Sequence, residues 1–216
     1  MTNRLQIAPS VLAADPLHIG REVKMMLEFG ADLLHVDIMD GHFVPNVTYG
    51  RGMVKALKKG FPNIVHDVHL MMSYPEDHID DFIEAGADEL TIHVEVAGDV
   101  EGMLRYIRER GLKAGLSLRP KTSAEELLPY LPLCDLIMIM SVEPGLGGQK
   151  IIPETLDKLV YLREHGYKGL LSVDGGINQE TMGLVIRKGG ERLIMGTGLF
   201  GSPNPALVIE EARKIS

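Results

Sequence analysis

The chain has 216 residues, with 22 Lys plus Arg against 30 Asp plus Glu, for a formal net charge of −8 with His neutral. An acidic chain without a basic block argues against nucleic-acid and acidic-membrane partners, and its single Cys excludes an internal disulfide framework. No apolar run approaches the roughly 18 residues of a membrane span, and the opening MTNRLQIAPS has no apolar signal-peptide core. A soluble, cytoplasmic protein is expected, with residues 1–216 forming one domain.

The elements repeat. A first apolar run, LQIAPS, is followed by Asp15 as N-cap, Pro16 at the first helical position, and a helical face of Ile19, Val23, Met26 and Leu27. Gly30 then ends the helix. The same alternation continues down the chain. The run LLHVDIM leads to a helix ending at Gly60. IVHDVHLM leads through Pro75 to Ile79, Phe82, Ile83 and Gly86. ELTIHV leads to Val100, Met103, Leu104, Ile107 and Gly111. LKAGLSL precedes Thr122 and Glu125, at capping-box spacing ahead of Leu127, Leu128 and Leu131. Here the expected boundary glycine is replaced by Leu133-Cys134. LIMIMSV, GLLSVD and RLIMG complete the set, separated by the helical patterns after Pro153 and Asn178 and by Gly166 and Gly189. Eight strand–helix units of about 27 residues predict an α/β protein, a small (β/α)8 TIM barrel, with a doubly wound sheet as the alternative.

In a barrel the C-terminal ends of the strands build the active site. Period two puts His35, Asp37 and Met39 on one strand face, and Asp67, His69 and Met71 on the next. Other strands end at His93, Met140 and Asp174. Two imidazoles and two carboxylates, His35, Asp37, His69 and Asp174, could then meet at one mouth, a set suited to Zn²⁺, Mn²⁺ or Fe²⁺. Taken singly, each is read more simply as a satisfied polar residue at a strand end. Four inward polar groups together need a common partner, because unpaired buried charge is costly. Glycine clusters follow the last three strands: Gly145-Leu146-Gly147-Gly148, Gly175-Gly176 and Gly196-Thr197-Gly198. Glycine lets backbone amides approach an anion closely, so three clusters on neighbouring loops favour a phosphate site over plain turn geometry.

The segments APSVLAAD (8–15), HVDIMDGHFVPN (35–46), DVHLM (67–71), GADELTIHVE (86–95), IMSVEPGLGGQ (139–149) and VDGGIN (173–178) closely resemble the ribulose-phosphate 3-epimerase family, over residues 6 to about 200. The resemblance implies a (β/α)8 barrel of the pentose phosphate pathway. It would interconvert D-ribulose 5-phosphate and D-xylulose 5-phosphate by two-base proton transfer at C3, through a metal-stabilised enediolate. It implies one divalent metal ion per subunit, most commonly zinc, with Fe, Mn or Co as alternatives, held by His35, Asp37, His69 and Asp174. Asp37 and Asp174 would also be the catalytic acid/base pair. Ser10, His69, Met39, Met71 and Met140 would contact substrate. Gly145, Leu146, Gly147, Gly148, Gly175, Gly176, Gly196 and Thr197 would hold its phosphate. A phosphosugar is the expected partner, with the chain itself a dimer or hexamer.

Some positions depart from the family pattern. Arg119-Pro120 stands where Asn-Pro is usual, and Arg119 reads first as a surface ion pair and second as a contact to a substrate hydroxyl or phosphate. Ser172 stands for a common Glu. Gly190-Glu191-Arg192 and Gly196-Thr197-Gly198-Leu199-Phe200 also differ. The last of these has a counterpart in D-allulose-6-phosphate 3-epimerases, which is the alternative reading. A metal-dependent phosphosugar lyase and a non-catalytic phosphosugar-binding barrel are further ones. His93 faces the mouth, and His42 lies on a loop that could border it.

Overall fold

The computed structural model describes residues 4–215. Its strands are β1 (Gln6–Pro9), β2 (Leu33–Met39), β3 (Val65–Met71), β4 (Glu89–His93), β5 (Lys113–Leu118), β6 (Leu136–Met140), β7 (Leu170–Asp174) and β8 (Arg192–Met195). All pair in parallel, β2 through β8 each with the next in sequence, and β8 pairs with β1. The ring closes between β1 and β2 through one parallel bridge, Ser10 to His35, and through the Asp32 N–H to the Ile7 carbonyl at 3.0 Å. This is the (β/α)8 barrel expected from the alternation.

Parity along each strand separates two cores. Leu34, Val36 and Ile38 of β2 face outward into the main core beneath the helices, while Leu33 packs inside the barrel with Ala8, Met138, Met140 and Ile194. The remaining interior is polar for a barrel of this kind, where branched apolar residues usually fill the layers. His35, Asp67, His69, Glu89, Thr91, His93, Ser117, Ser172 and Arg192 are all buried.

The helices are α1 (Ile19–Glu28), α2 (Arg51–Gly60), α3 (Ile79–Ala85), α4 (Val100–Glu109), α5 (Asp157–Glu164), α6 (Met182–Arg187), the one-turn α7 (Thr197–Phe200) and α8 (Pro205–Ile215). α4 shows the logic: Val100, Met103, Leu104 and Ile107 form its buried stripe, and Asp99 caps it by accepting the Gly102 N–H at 2.9 Å. Among the described residues, no helix is long and apolar enough to cross a membrane.

Three local expectations change. Asp15 does not cap α1. It organises a preceding turn, accepting from Leu17 N–H at 3.0 Å and contacting His18 Nδ1 at 2.6 Å, and the helix begins at Ile19. The Thr122/Glu125 capping box is absent. Ser123 Oγ accepts from Glu125 N–H at 3.3 Å, and residues Ala124–Leu133 wind as 3₁₀ turns because Pro129 and Pro132 supply no N–H for an α-helix. Gly60 is the last residue of α2 and is followed by Phe61 as cap. Gly30, Gly86, Gly111, Gly166 and Gly189, in contrast, all take positive φ just past a helix or its cap, between 84° and 103°.

A carboxylate precedes every even-numbered strand and extends the barrel ladder at its N-terminal end. Asp32 accepts from Ile7 N–H at 2.7 Å, Asp88 from His66 N–H at 2.8 Å, Asp135 from Ala114 N–H at 3.0 Å and Glu191 from Leu171 N–H at 2.9 Å. Each has a cation nearby: Arg213, Lys58, Arg108 and Arg163 respectively. Hydrogen bonds to charged groups contribute about 1.5–3 kcal/mol. Asp88→Ala should therefore lower stability to urea by about 1–3 kcal/mol, with the m-value unchanged. A midpoint equal to that of the parent chain would show that the ladder extension contributes nothing.

Candidate metal centre and active site

β2 delivers His35, Asp37 and Met39 to the barrel interior, and β3 delivers Asp67, His69 and Met71 beside them in register. Asp37 Oδ1 lies 3.2 Å from His35 Nε2 and 3.2 Å from His69 Nδ1, while Ser10 Oγ donates to Asp37 Oδ2 at 2.6 Å. Asp174, at the end of β7, completes the group. One ligand atom from each of His35, Asp37, His69 and Asp174 lies within 4.8 Å of the others. The structure thus brings together the four residues singled out in the sequence.

The chemistry of this donor set fits a divalent cation. The outer nitrogens of both imidazoles are engaged away from the centre. His35 Nδ1 meets Asp67 Oδ2 at 2.9 Å, and His69 Nε2 meets His93 Nε2 at 2.8 Å. His93 Nδ1 in turn meets Glu95 Oε2 at 3.0 Å, and Glu95 Oε1 accepts from Arg119 N–H at 2.6 Å. With protons on those outer nitrogens, the lone pairs of His35 Nε2 and His69 Nδ1 face Asp37. Such convergence of electron pairs is unfavourable until a proton or a cation stands between them, and two N plus two O donors suit Zn²⁺.

The acid–base balance follows the same crowding. Burial opposes a charge on His35, but Asp37 and Asp67 override it and raise its pKa well above the ordinary imidazole value. Burial likewise opposes ionisation of Asp37, yet His35 and His69 hold its pKa below the usual carboxylate range. Asp174 is pushed up to about 7, first by burial and then by the neighbouring charge of Asp37. Burial lowers His93 to about 4.

Above this group lies a cavity of about 240 Å³ lined by Ser10, Asp37, Met39, Met71, Met140 and Asp174, and by the loops after β6, β7 and β8. Gly145, Leu146, Gly147, Gly148, Gly175, Gly176, Gly196 and Thr197 all line it, as do Val142, Ile177 and Ile194, which the sequence did not single out. No Lys or Arg does. His35 and His69 sit beneath the cavity floor, fully buried.

The loops are built to approach closely. Gly175 and Gly176 have φ of 114° and 66°, and a Cβ on Gly175 would lie 2.4 Å from Val142 Cγ2. Gln149 Nε2 braces the β6 loop by donating to the carbonyls of Glu143 and Leu146, at 2.6 and 2.8 Å. Asn46 Nδ2 ties the β2 loop to the Gly145 carbonyl at 2.9 Å. Asp40 shapes that loop, accepting from His42 and Phe43 N–H groups at 2.8 and 2.7 Å. His42 itself is exposed and lies outside the cavity lining.

Arg119 departs from the expected surface ion pair. It is partly buried, its Nη2 donates to the Phe43 carbonyl at 2.6 Å, and its guanidinium lies 4.3 Å from the Phe43 ring centroid. It does not line the cavity. The Phe43 ring packs against His93, with centroids 4.8 Å apart, so Arg119 clamps the β2 loop over the His93 relay. Asp67, Glu95 and Arg192 were not assigned roles from the sequence. Their parity was visible, but their partners depend on cross-barrel register.

A closed barrel with a His/Asp centre under its C-terminal loops defines a class of enzyme-like (β/α)8 proteins whose sites are assembled from strand ends. A sequence profile described as "Ribulose-phosphate 3 epimerase family" matches residues 6–200. The chain belongs to that family. It is 42% identical, over 99% of its length and 95% of the relative's, to a ribulose-phosphate 3-epimerase of Synechocystis sp.. It is 40% identical to the ribulose-phosphate 3-epimerase of Bacillus subtilis, over 97% of this chain and 98% of that one. Among solved structures, 3-keto-L-gulonate-6-phosphate decarboxylase from Vibrio cholerae shares the fold, with a TM-score of 0.73, 16% identity and 98% coverage of both chains.

Gly175→Ala should destabilise the folded chain by at least about 1–3 kcal/mol, because it adds left-handed strain to a clash with Val142. Urea unfolding measures this. Full retention of stability would mean that the loop can move away at no cost.

Proposed function

We propose that the chain is a 3-epimerase of ketose phosphates, interconverting D-ribulose 5-phosphate and D-xylulose 5-phosphate. The observation that carries this reading is the pairing of Asp37 and Asp174 over one cavity, on strands separated by β8 and β1 on one side and by four strands on the other. Inverting a carbon next to a carbonyl requires a proton to leave one face of a planar enediolate and another to arrive on the opposite face. That needs two acid/base groups on different walls.

The positions of the two carboxylates suit the two roles. One would take the proton from its face of the substrate while the other returns one from the opposite wall of the cavity. The reverse reaction exchanges the roles. Ser10, donating to Asp37 Oδ2, leaves Oδ1 as the oxygen that faces both imidazoles. Met39, Met71 and Met140 form a polarisable wall that does not titrate. The amides around Gly145–Gly148, Gly175–Gly176 and Gly196–Thr197 are assigned to the phosphate, since the cavity offers no side-chain cation.

His35, Asp37, His69 and Asp174 would hold one divalent ion, zinc by preference for two nitrogen and two oxygen donors. When bound, the ion supplies positive charge that stabilises the enediolate and lowers the barrier to removal of the C3 proton.

Asp37→Asn and Asp174→Asn should each lower kcat by about 10²–10⁴-fold. In D₂O the parent enzyme should place solvent deuterium at C3 of ribulose 5-phosphate, and both variants should lose this exchange along with turnover. Release of an aldehyde without C3 exchange would replace the epimerase reading with a lyase. A higher kcat/KM for D-allulose 6-phosphate than for ribulose 5-phosphate would transfer the assignment to the hexulose phosphate.

A further inference from the structure

Beneath the four-residue centre lies a buried ionic cluster to which the reaction assigns no part. Arg192 opens β8 and is 1% exposed. Its Nε donates to Gln6 Oε1 at 2.8 Å, and its Nη1 donates to Glu89 Oε2 at 2.5 Å and to Asp67 Oδ2 at 3.2 Å. Glu89 receives a second cation, Lys113 Nζ, at 2.9 Å. Two buried carboxylates are thus balanced by one buried and one snorkelling cation. The Asp67 oxygen that Arg192 grips is the one that meets His35 Nδ1 at 2.9 Å. Arg192 and His35 thus hold the Asp67 carboxylate through the same oxygen, Oδ2, and together they set its orientation.

We propose that Arg192 is a positioning residue for the metal centre: it fixes the Asp67 carboxylate, and through it the ring orientation and tautomer of His35. His35 is fully buried, with both ring nitrogens engaged. Its Nε2 must point at Asp37 to act as a ligand, and only a rigid acceptor on Nδ1 keeps it there. A carboxylate held on one oxygen by one imidazole alone would have its plane fixed less tightly, with more freedom about χ2. A guanidinium anchored at Gln6 and Glu89 removes that freedom. Arg192 also joins β8 to β1 and to the β3–β4 pair across the barrel, so the register of the last strand is transmitted to a ligand on β2.

The inference rests on the metal reading of the site. A parent chain that binds no zinc would end both, whereas zinc binding that ignores Arg192 would end this one alone. The test is zinc affinity of the metal-stripped full chain by competition with a chromophoric chelator, with Co²⁺ absorption reporting ligand geometry. Arg192→Met should weaken zinc binding by about 10–100-fold and alter the Co²⁺ spectrum. Arg192→Lys should recover part of the loss. In an Asp67→Asn background the same Arg192→Met change should shift affinity by less than about two-fold, because the route through Asp67 is already cut. Should Arg192→Met fail to fold through uncompensated buried charge, Arg192→Met with Glu89→Gln restores the balance and is compared with Glu89→Gln alone. Equal zinc affinity within either comparison, or a full-sized loss that persists with Asp67→Asn, overturns the proposal.

Discussion

Asp37 is a buried carboxylate with two imidazole nitrogens at 3.2 Å and a serine hydroxyl at 2.6 Å, and the rest of the structure depends on how that crowding is resolved. Its neighbours are not incidental to the fold. Ser10 and His35 also form the backbone bridge that, with the bond from the Asp32 N–H to the Ile7 carbonyl, seals β1 to β2. This seam of the barrel and the candidate metal centre share the same residues. A cation at this point would neutralise converging lone pairs and hold the seam shut at once. Binding free energy gained there is folding free energy as well.

The opposite end of the barrel solves a different problem. Strand N-termini leave backbone donors at the rim, and the carboxylates of Asp32, Asp88, Asp135 and Glu191 accept them from alternate strands. The repeat unit of the fold is therefore two βα units rather than one. The glycines that end helices recur once per unit, and those before the even-numbered strands sit at a fixed distance from the carboxylates. Gly30, Gly86 and Gly189 stand two residues before Asp32, Asp88 and Glu191, while Leu133 fills the corresponding place before Asp135. The boundary without glycine lies after the proline-bearing 3₁₀ segment, whose cap, Cys134, has an extended φ of −93° and needs no left-handed residue.

This division explains what could be read from the sequence. Period two on β2 and β3 is a local property, so His35, Asp37, His69, Met39 and Met71 declared their common face within a few residues. The glycine loops did the same, since a tight approach leaves its mark in composition. The departures were opaque because their meaning lies far away in sequence. Arg119 meets Phe43 across 76 positions, and Arg192 meets Asp67 across 125. An arginine in isolation signals solvent. Only the closed ring shows one folded against an aromatic ring and the other inside the barrel. Local rules also misplaced the start of α1, where Asp15 found partners in a turn before the helix could use it.

The position of the cations bears on how an acidic protein can receive an anion. With a net charge of −8 and two carboxylates in the cavity wall, the long-range field would oppose the proposed phosphosugar. That field is screened beyond about 8 Å at physiological ionic strength, so the decisive interactions are those at contact. A lysine in the cavity would attract anions of any shape, and it would also pair with Asp37 or Asp174 and block the acid–base use proposed for them. Backbone amides on glycine loops avoid both outcomes. Their partial charges are fixed in direction, they cannot swing onto a carboxylate, and they favour an anion whose oxygens match their spacing. The interior guanidinium of Arg192 is kept one layer lower, bound to Glu89 and Asp67, where it meets the Asp67 oxygen that contacts His35 and does not line the cavity that Asp37 and Asp174 share.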